Sequence, residues 1–291
     1  MSVQSLYQQK RMPAADAVRV VRNGDTIVVP TAVGEPPSLL TALSDQRRDF
    51  RDVQVSQILA VRKFGYLDPE TVEHVRHTAY FFSGATRPGG KDGWVDFIPA
   101  YFSEMPSLMN RGLMPADVVF TMASPMDEHG FFSLALAADY TMAAIDRARV
   151  VVLEVNPNVP FANGDCHIHI SQVAALCESD EPILEVGLPK IGTVQEAIGK
   201  YVAEMIPDGA TLQIGYGGIP DAVVMQLTDK HDLGIHTEMI GDGIMSLVEA
   251  GVVTNRKKNY HHGKMLATFA LGSKKLYQFM HRNPALEMHP V

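Results

Sequence analysis

Two stretches of the sequence bring together groups able to act on an acyl or phosphoryl centre. The first is Gly215-Tyr216-Gly217-Gly218-Ile219-Pro220, which follows an apolar run and opens an amphipathic one. Glycines at such a point let backbone N–H groups face an anion, and a helix N-terminus adds its positive end. The spacing is neither a Rossmann GxGxxG nor a Walker loop, since no Gly-Lys-Ser/Thr follows. Two readings stay open: a phosphate or oxyanion site, or a tight strand–helix turn. The second stretch is Gly234-Ile235-His236-Thr237-Glu238-Met239, with Gly241-Asp242-Gly243 after it. A short strand there carries His236 and Glu238 on one face, because side chains alternate with period two. In parallel α/β sheets ligands gather beyond the carboxyl ends of the strands, which sets Glu238 within reach of the glycine loop. A carboxylate beside an oxyanion-binding loop serves as a nucleophile toward an acyl carbonyl or as a general base. A solvated strand-end glutamate is the plainer alternative.

Other candidates carry less. His167-Ile168-His169 puts two imidazoles on one strand face, but no third ligand sits at metal spacing, so no metal is expected. His261-His262 reads as part of a polar loop, Arg256-Lys257-Lys258 as a solvated turn, and Asp127-Glu128-His129 as the wall of a strand edge. Ser273, after Ala267–Leu271 and Gly272, marks a second strand–glycine–helix turn.

The elements that must position these groups show an internal repeat. Gly24-Asp25-Thr26-Ile27-Val28-Val29, a loop with Gly34-Glu35-Pro36, then Leu39, Leu40 and Leu43 matches Gly209-Ala210-Thr211-Leu212-Gln213-Ile214, a loop with Gly217-Gly218-Ile219-Pro220, then Val223, Val224 and Leu227. Each copy follows an expected helix, at Ala14–Val21 and Val194–Met205. The shared order is helix, short buried strand, glycine loop, proline at a helix start, amphipathic helix. It suggests duplication of an α/β unit. Further strands are expected at 53–58, 77–82, 118–122 and 150–155, and helices at Pro69–Arg76 and Leu134–Ala148. Alternation of this kind argues a mostly parallel sheet covered on both faces. Glu178-Ser179-Asp180-Glu181-Pro182, Gly187 and Pro189 read as a linker. The boundary falls there, giving units 1–186 and 187–291. The second is much shorter than the first, so it is expected to be incomplete. The open sheet edge this leaves would favour a homo-oligomer.

The chain has 291 residues, 46% hydrophobic and 20% charged, with a net charge of −8. That composition is globular and makes a nucleic-acid surface an unsuitable main function. Two cysteines, Cys166 and Cys177, form neither a CxxC pair nor a disulfide framework. No apolar run reaches the ~18 residues of a membrane span, and the N-terminus lacks an apolar signal core. The expectation is a cytoplasmic protein with no nucleic-acid or membrane partner.

Taken together, the motifs resemble the acetyl-CoA hydrolase/transferase family, within it the 4-hydroxybutyrate (butyrate/acetate) CoA-transferase-like, class I enzymes. The resemblance runs along essentially the whole chain. It is carried by Gly34-Glu35-Pro36, Phe97-Ile98-Pro99 with Ser103-Glu104, and Ser124-Pro125-Met126-Asp127-Glu128-His129-Gly130 with Phe131-Phe132-Ser133-Leu134. It continues through Asn156-Pro157-Asn158-Val159-Pro160, Gly164-Asp165, Ile168-His169-Ile170-Ser171, Gly215–Pro220, His236-Thr237-Glu238-Met239 with Asp242-Gly243, and Phe269-Ala270-Leu271-Gly272-Ser273.

The resemblance implies tandem open α/β/α domains with mostly parallel sheets and a site between them. It implies Glu238 as the catalytic nucleophile, and Gly215, Tyr216, Gly217, Gly218 and Ile219 as the loop that faces coenzyme A. The implied substrates are an acyl-CoA and a short-chain carboxylate, exchanged ping-pong through a glutamyl-CoA thioester, with no permanently bound cofactor. The family pattern continues past Val291 with a further Gly-rich segment expected to touch coenzyme A. Two rivals stand beside this reading. One is a hydrolase that uses the same glutamate; the other is a ligand-binding α/β fragment, which would not require Glu238 in its His-Thr-Glu-Met setting.

Overall fold

A computed structural model describes residues 2–187 and 190–291. Leu188 and Pro189 lie outside the described residues, so the linker proline is not placed. The first part of the chain builds a seven-stranded sheet from β1 (Thr26–Val28), β2 (Val53–Gln57), β3 (Val75–Ala79), β4 (Val95–Phe97), β5 (Val118–Ala123), β7 (Val150–Val155) and β9 (Ala175–Glu178). Its spatial order is β4-β3-β2-β1-β5-β7-β9 and every pairing is parallel. A small antiparallel ribbon pairs β6 (Phe131–Ser133) with β8 (His167–His169). The central strands are buried on both faces, which explains the largely apolar runs at 118–123 and 150–155, broken only by Thr121 and Glu154. Strand order reverses between β1 and β5, so a crevice opens where their carboxyl ends diverge.

The second part forms three short parallel pairs: β10 (Thr211–Leu212) with β11 (Gly234–Ile235), β12 (Met239–Ile240) with β14 (Phe269–Ala270), and β13 (Met265–Ala267) with β15 (Leu286–Met288). A parallel bridge between His236 and Leu266 links β11 to the line of β13. The chain is therefore α/β with mostly parallel sheets, the β6–β8 ribbon being antiparallel, and both copies of the repeat fold as strand, loop and helix. The helices are Pro37–Asp45 and Gly218–Met225.

The two parts share one core, in which Ala32, Val33, Leu136 and Ala137 pack with Ile240, Phe269 and Ala270. Backbone bonds join them too: Thr268 O accepts from Ala138 N at 3.0 Å, and Ala270 N donates to Leu136 O at 2.9 Å. This corrects the helix expected over Leu134–Ala148, which is confined to Thr141–Arg147. Residues 134–139 form turns instead, with Leu136 O, Ala138 N and Asp139 N bonded to Thr268 and Ala270 of the second part. At Pro69–Arg76 a single 3-10 turn, Pro69–Thr71, replaces the expected helix, and Val75 already belongs to β3. Asp68 caps that turn through Glu70 N at 2.9 Å, and the chain then enters the sheet. Gly164, at φ 104°, lies against the backbone of Met288; a Cβ there would come within 2.3 Å of Met288 O, so only glycine permits this crossing.

Two buried carboxylates set the loops at the sheet's carboxyl edge. Glu154, inside an apolar strand, accepts from Ser38 N at 2.7 Å and Ser38 Oγ at 2.9 Å. It thereby satisfies the start of the helix Pro37–Asp45, which has no side-chain cap of its own. Glu35 accepts from Gln57 Nε2 at 3.1 Å and Val61 N at 3.3 Å through one oxygen. Its Oε1 and Gln57 Oε1 are buried without a partner among the described residues.

Burial pushes the Glu35 carboxyl up to about 7. An acid raised on folding is held best while protonated. Its contribution is greatest below the ordinary value of 4.5 and is lost as pH rises toward 7, a change of about 3 kcal/mol. Glu35→Gln, a neutral isostere, should remove the Glu35 part of that slope. Urea denaturation at pH 5 and pH 8 should show the variant matching or exceeding the parent at pH 8. A loss of stability from pH 5 to pH 8 as large in the variant as in the parent would contradict the assignment.

Candidate active site

The residues immediately after β1, β2, β3 and β4 come together at the sheet's carboxyl edge. Thr31, Ile58, Leu59, Tyr80, Phe81 and Ala100 wall a cavity of about 310 Å³, closed by Phe102 and, from the second part, by Tyr216, Glu238 and Phe269. Its described lining contains no lysine or arginine. A second cavity of about 430 Å³ lies on the other side of Glu238, between Tyr101, Phe102 and Ser103 and the residues Gln213, His236, Thr268 and His289. Glu238 and Phe102 line both.

Glu238 does not lie within one continuous strand, as the sequence suggested. It occupies a bend between β11 and β12, where its carbonyl accepts from Thr268 N at 3.0 Å and Phe269 N at 3.2 Å. The bend arises because Thr237 N still pairs with Leu266 O, at 2.9 Å, while Met239 already pairs with Phe269. Thr237 is buried, and His236, Thr237 and Glu238 all line the larger cavity. Half-burial holds the Glu238 carboxyl above the usual carboxylate range. His236 is held below its ordinary value, by burial first and then by the positive field of Lys258, His261 and His289.

Thr237 is the positioning residue that sequence reading passed over. Its hydroxyl donates to Ile214 O and accepts from Ile214 N, both at 2.8 Å. That clamp fixes the residue just before Gly215 beside the one just before Glu238. A hydroxyl-bearing residue directly preceding the candidate carboxylate was the available signal.

The glycine loop itself is divided. Tyr216, more than half exposed, faces the cavity of Glu238. Gly217 and Gly218 line a separate hollow of about 210 Å³ with Met239, Asp221 and Asp242. Gly217 adopts φ 138°, open to glycine alone, and precedes the helix Gly218–Met225, whose N-terminus has no side-chain cap. Gly215 has open space around its Cα, and Ile219 is exposed. Asp221 is raised by burial and by the charge of Asp242, and Asp242 accepts from Ser273 N at 2.9 Å and from the Ser273 hydroxyl.

The remaining candidates lie elsewhere. His167 Nε2 meets Ala162 O at 2.9 Å and His169 Nδ1 meets Ser171 Oγ at 2.8 Å, so both are occupied locally. Asp127, Glu128 and His129 border a polar surface hollow with Arg282. The basic turn is corrected at one position: Lys258 is buried, donating to Ile235 O at 2.8 Å and Lys264 O at 2.6 Å, while Arg256 and Lys257 stay exposed. No described helix is long and apolar enough to cross a membrane.

Comparison with known proteins adds an independent line. Residues 1–186 match the acetyl-CoA hydrolase/transferase N-terminal domain. The chain is 44% identical over 290 residues to a succinyl-CoA:cyclohexane-1-carboxylate CoA transferase of Geobacter metallireducens, spanning 100% of this chain and 66% of that protein. It is 41% identical over 291 residues to a 4-hydroxybutyrate coenzyme A transferase of Clostridium kluyveri, spanning 100% of this chain and 68% of that one. The chain thus spans about two thirds of the length of these relatives. Among solved structures it superposes on RipA from Yersinia pestis with a TM-score of 0.93 at 32% identity, covering 100% of this chain and 70% of that one. A 4-hydroxybutyrate CoA-transferase from Porphyromonas gingivalis gives 0.87 at 36% identity, with 99% and 69% covered.

Proposed function

The chain belongs to the acetyl-CoA hydrolase/transferase family, and we propose that it moves coenzyme A between a short-chain acyl-CoA and a carboxylic acid, with Glu238 as the covalent nucleophile. The observation that carries this reading is the place of Glu238, half-buried where an apolar cavity meets a larger open one. In it the acyl chain occupies the cavity of Thr31, Tyr80 and Ala100, and the thioester sulfur lies toward His236 and Thr268. The two units of the reading are 1–186 and 187–291, each giving one wall of the site.

The chemistry follows in balanced steps. A Glu238 carboxylate oxygen attacks the thioester carbonyl. The tetrahedral oxyanion collapses, coenzyme A leaves as thiolate, and an acyl-glutamyl anhydride remains. The thiolate then attacks the glutamyl carbonyl, releasing the acyl group as a carboxylate and leaving a glutamyl-CoA thioester. An incoming carboxylate reverses both steps and departs as the new acyl-CoA. Backbone amides at Tyr216–Gly218, at the uncapped helix start, are the proposed oxyanion donors; one such donor is worth about 3–4 kcal/mol in the transition state. Nothing in the cycle requires a permanently bound cofactor. Phe102, Tyr216 and Phe269 around Glu238 favour transfer over hydrolysis, because apolar walls restrict water at the intermediate.

The acyl assignment has a direct test. Ala100→Phe should fill part of the apolar cavity and lower kcat/KM for butyryl-CoA about 10- to 100-fold while sparing acetyl-CoA, since each methylene displaced is worth about 1–3 kcal/mol. Equal loss for both substrates would place the acyl chain elsewhere.

A further inference from the structure

We infer that His261, Glu287 and His289 form a binding site for a divalent transition-metal ion of the zinc class. The inference does not depend on the role of Glu238. It starts from the convergence of three donor atoms far apart in sequence. His261 Nδ1 lies 3.2 Å and His289 Nε2 lies 3.1 Å from the same oxygen, Glu287 Oε2. All three donors fall within 4.8 Å of one another.

These spacings are those of a tetrahedral site. With metal–nitrogen bonds of about 2.0–2.1 Å, neighbouring donors of a tetrahedron stand about 3.3 Å apart. Two edges of the triangle already come within a few tenths of an ångström of that length. Two imidazoles and one carboxylate are also a zinc ligand set that leaves a fourth position for water.

The surroundings orient the donors. Glu287 and His289 are two residues apart on β15 and its extension, so they share one face of a strand paired with β13. His289 N donates to Ala267 O at 2.9 Å, which continues that pairing. His261 projects from the turn before β13 and adopts φ 47°, a left-handed conformation uncommon for a residue with a side chain.

The strongest support lies one shell out. Asp165 Oδ2 sits 3.1 Å from His289 Nδ1. A carboxylate there keeps the proton on Nδ1 and leaves the Nε2 lone pair for an ion, the carboxylate–histidine–metal arrangement of many zinc sites. The ring of His289 stands between two carboxylates, Asp165 on Nδ1 and Glu287 on Nε2. The cationic neighbours are Lys264, 3.7 Å from Glu287 Oε1, and Lys258 and His236 beyond. Lys264 engages the other carboxylate oxygen and leaves Oε2 to the histidines. An ion here would pin the 259–263 turn to β15 and fix His289 in the wall of the larger cavity.

The test uses ZnCl₂ and CoCl₂ as probes. Protein treated with EDTA and returned to chelator-free buffer should retain one zinc per chain in competition with a chromophoric chelator. Cobalt should give the intense visible bands of four-coordinate geometry. His261→Ala and Glu287→Gln should each weaken zinc binding about 100-fold, and Asp165→Asn about 10- to 100-fold. His169→Ala should leave it unchanged. Thermal unfolding in EDTA checks that each variant folds like the parent, with His261→Asn in reserve if His261→Ala does not. Zinc not retained by the parent, or undiminished binding in the two ligand variants, would overturn the site and leave His289 a hydrogen-bonded link between Glu287 and Asp165.

Discussion

Glu238→Ala should reduce CoA transfer at least about 10³-fold, because it removes the atom that forms the covalent bond rather than one that helps it form. The residue is half-buried at a bend and its side chain makes no described hydrogen bond, so thermal stability should change little. Glu238→Gln keeps the shape and should be equally inactive. The pH profile gives the same assignment a second readout. The nucleophile must be ionised, and burial raises its carboxyl. Activity should therefore fall as pH drops through a midpoint above the ordinary glutamate value, while folding is still intact. A Glu238→Ala protein that retained hydrolysis of acyl-CoA would exclude both transfer and hydrolysis through this residue.

Gly217→Val should lower kcat about 10²-fold with a small change in thermal midpoint. The backbone at φ 138° excludes a β-branched residue, so the loop must shift and carry the amides of Tyr216–Gly218 with it. Open space surrounds Gly217, whose Cβ would meet only Pro220 Cδ at 3.9 Å, and so the loss would come from loop geometry rather than a clash in the core. Steady-state kinetics and a melting curve on the same sample separate the outcomes. Near-normal turnover with a lowered midpoint would make the loop a strand–helix turn and nothing more.

The sequence carried the strand-and-helix alternation well wherever burial was two-sided. The runs at 118–122 and 150–155 became central strands because parallel sheets bury both faces of a strand. The repeat was legible because both copies use a glycine loop before a helix. Leu134–Ala148 misled for a physical reason. An alanine-rich apolar stretch satisfies helical periodicity, but the backbone of Leu136, Ala138 and Asp139 is engaged by Thr268 and Ala270, which no local pattern encodes. The site was half legible. Glu238 and the loop stood out through residue type, whereas the cavity walls come from the ends of β1, β2, β3 and β4, which meet only once strand order is known. The histidine cluster was hidden by distance along the chain: His261 lies 26 residues before Glu287 and 28 before His289, and neither pairing has the spacing of a metal motif.

Covalent trapping tests the central claim most directly. The protein is treated with an acyl-CoA, reduced with borohydride, digested and read by peptide mass spectrometry. A glutamyl-CoA thioester is reduced to a primary alcohol, so the peptide containing Glu238 should carry that change, and only after acyl-CoA treatment. An unmodified Glu238 peptide in protein that transfers CoA, or the same change on another carboxylate, would contradict the account.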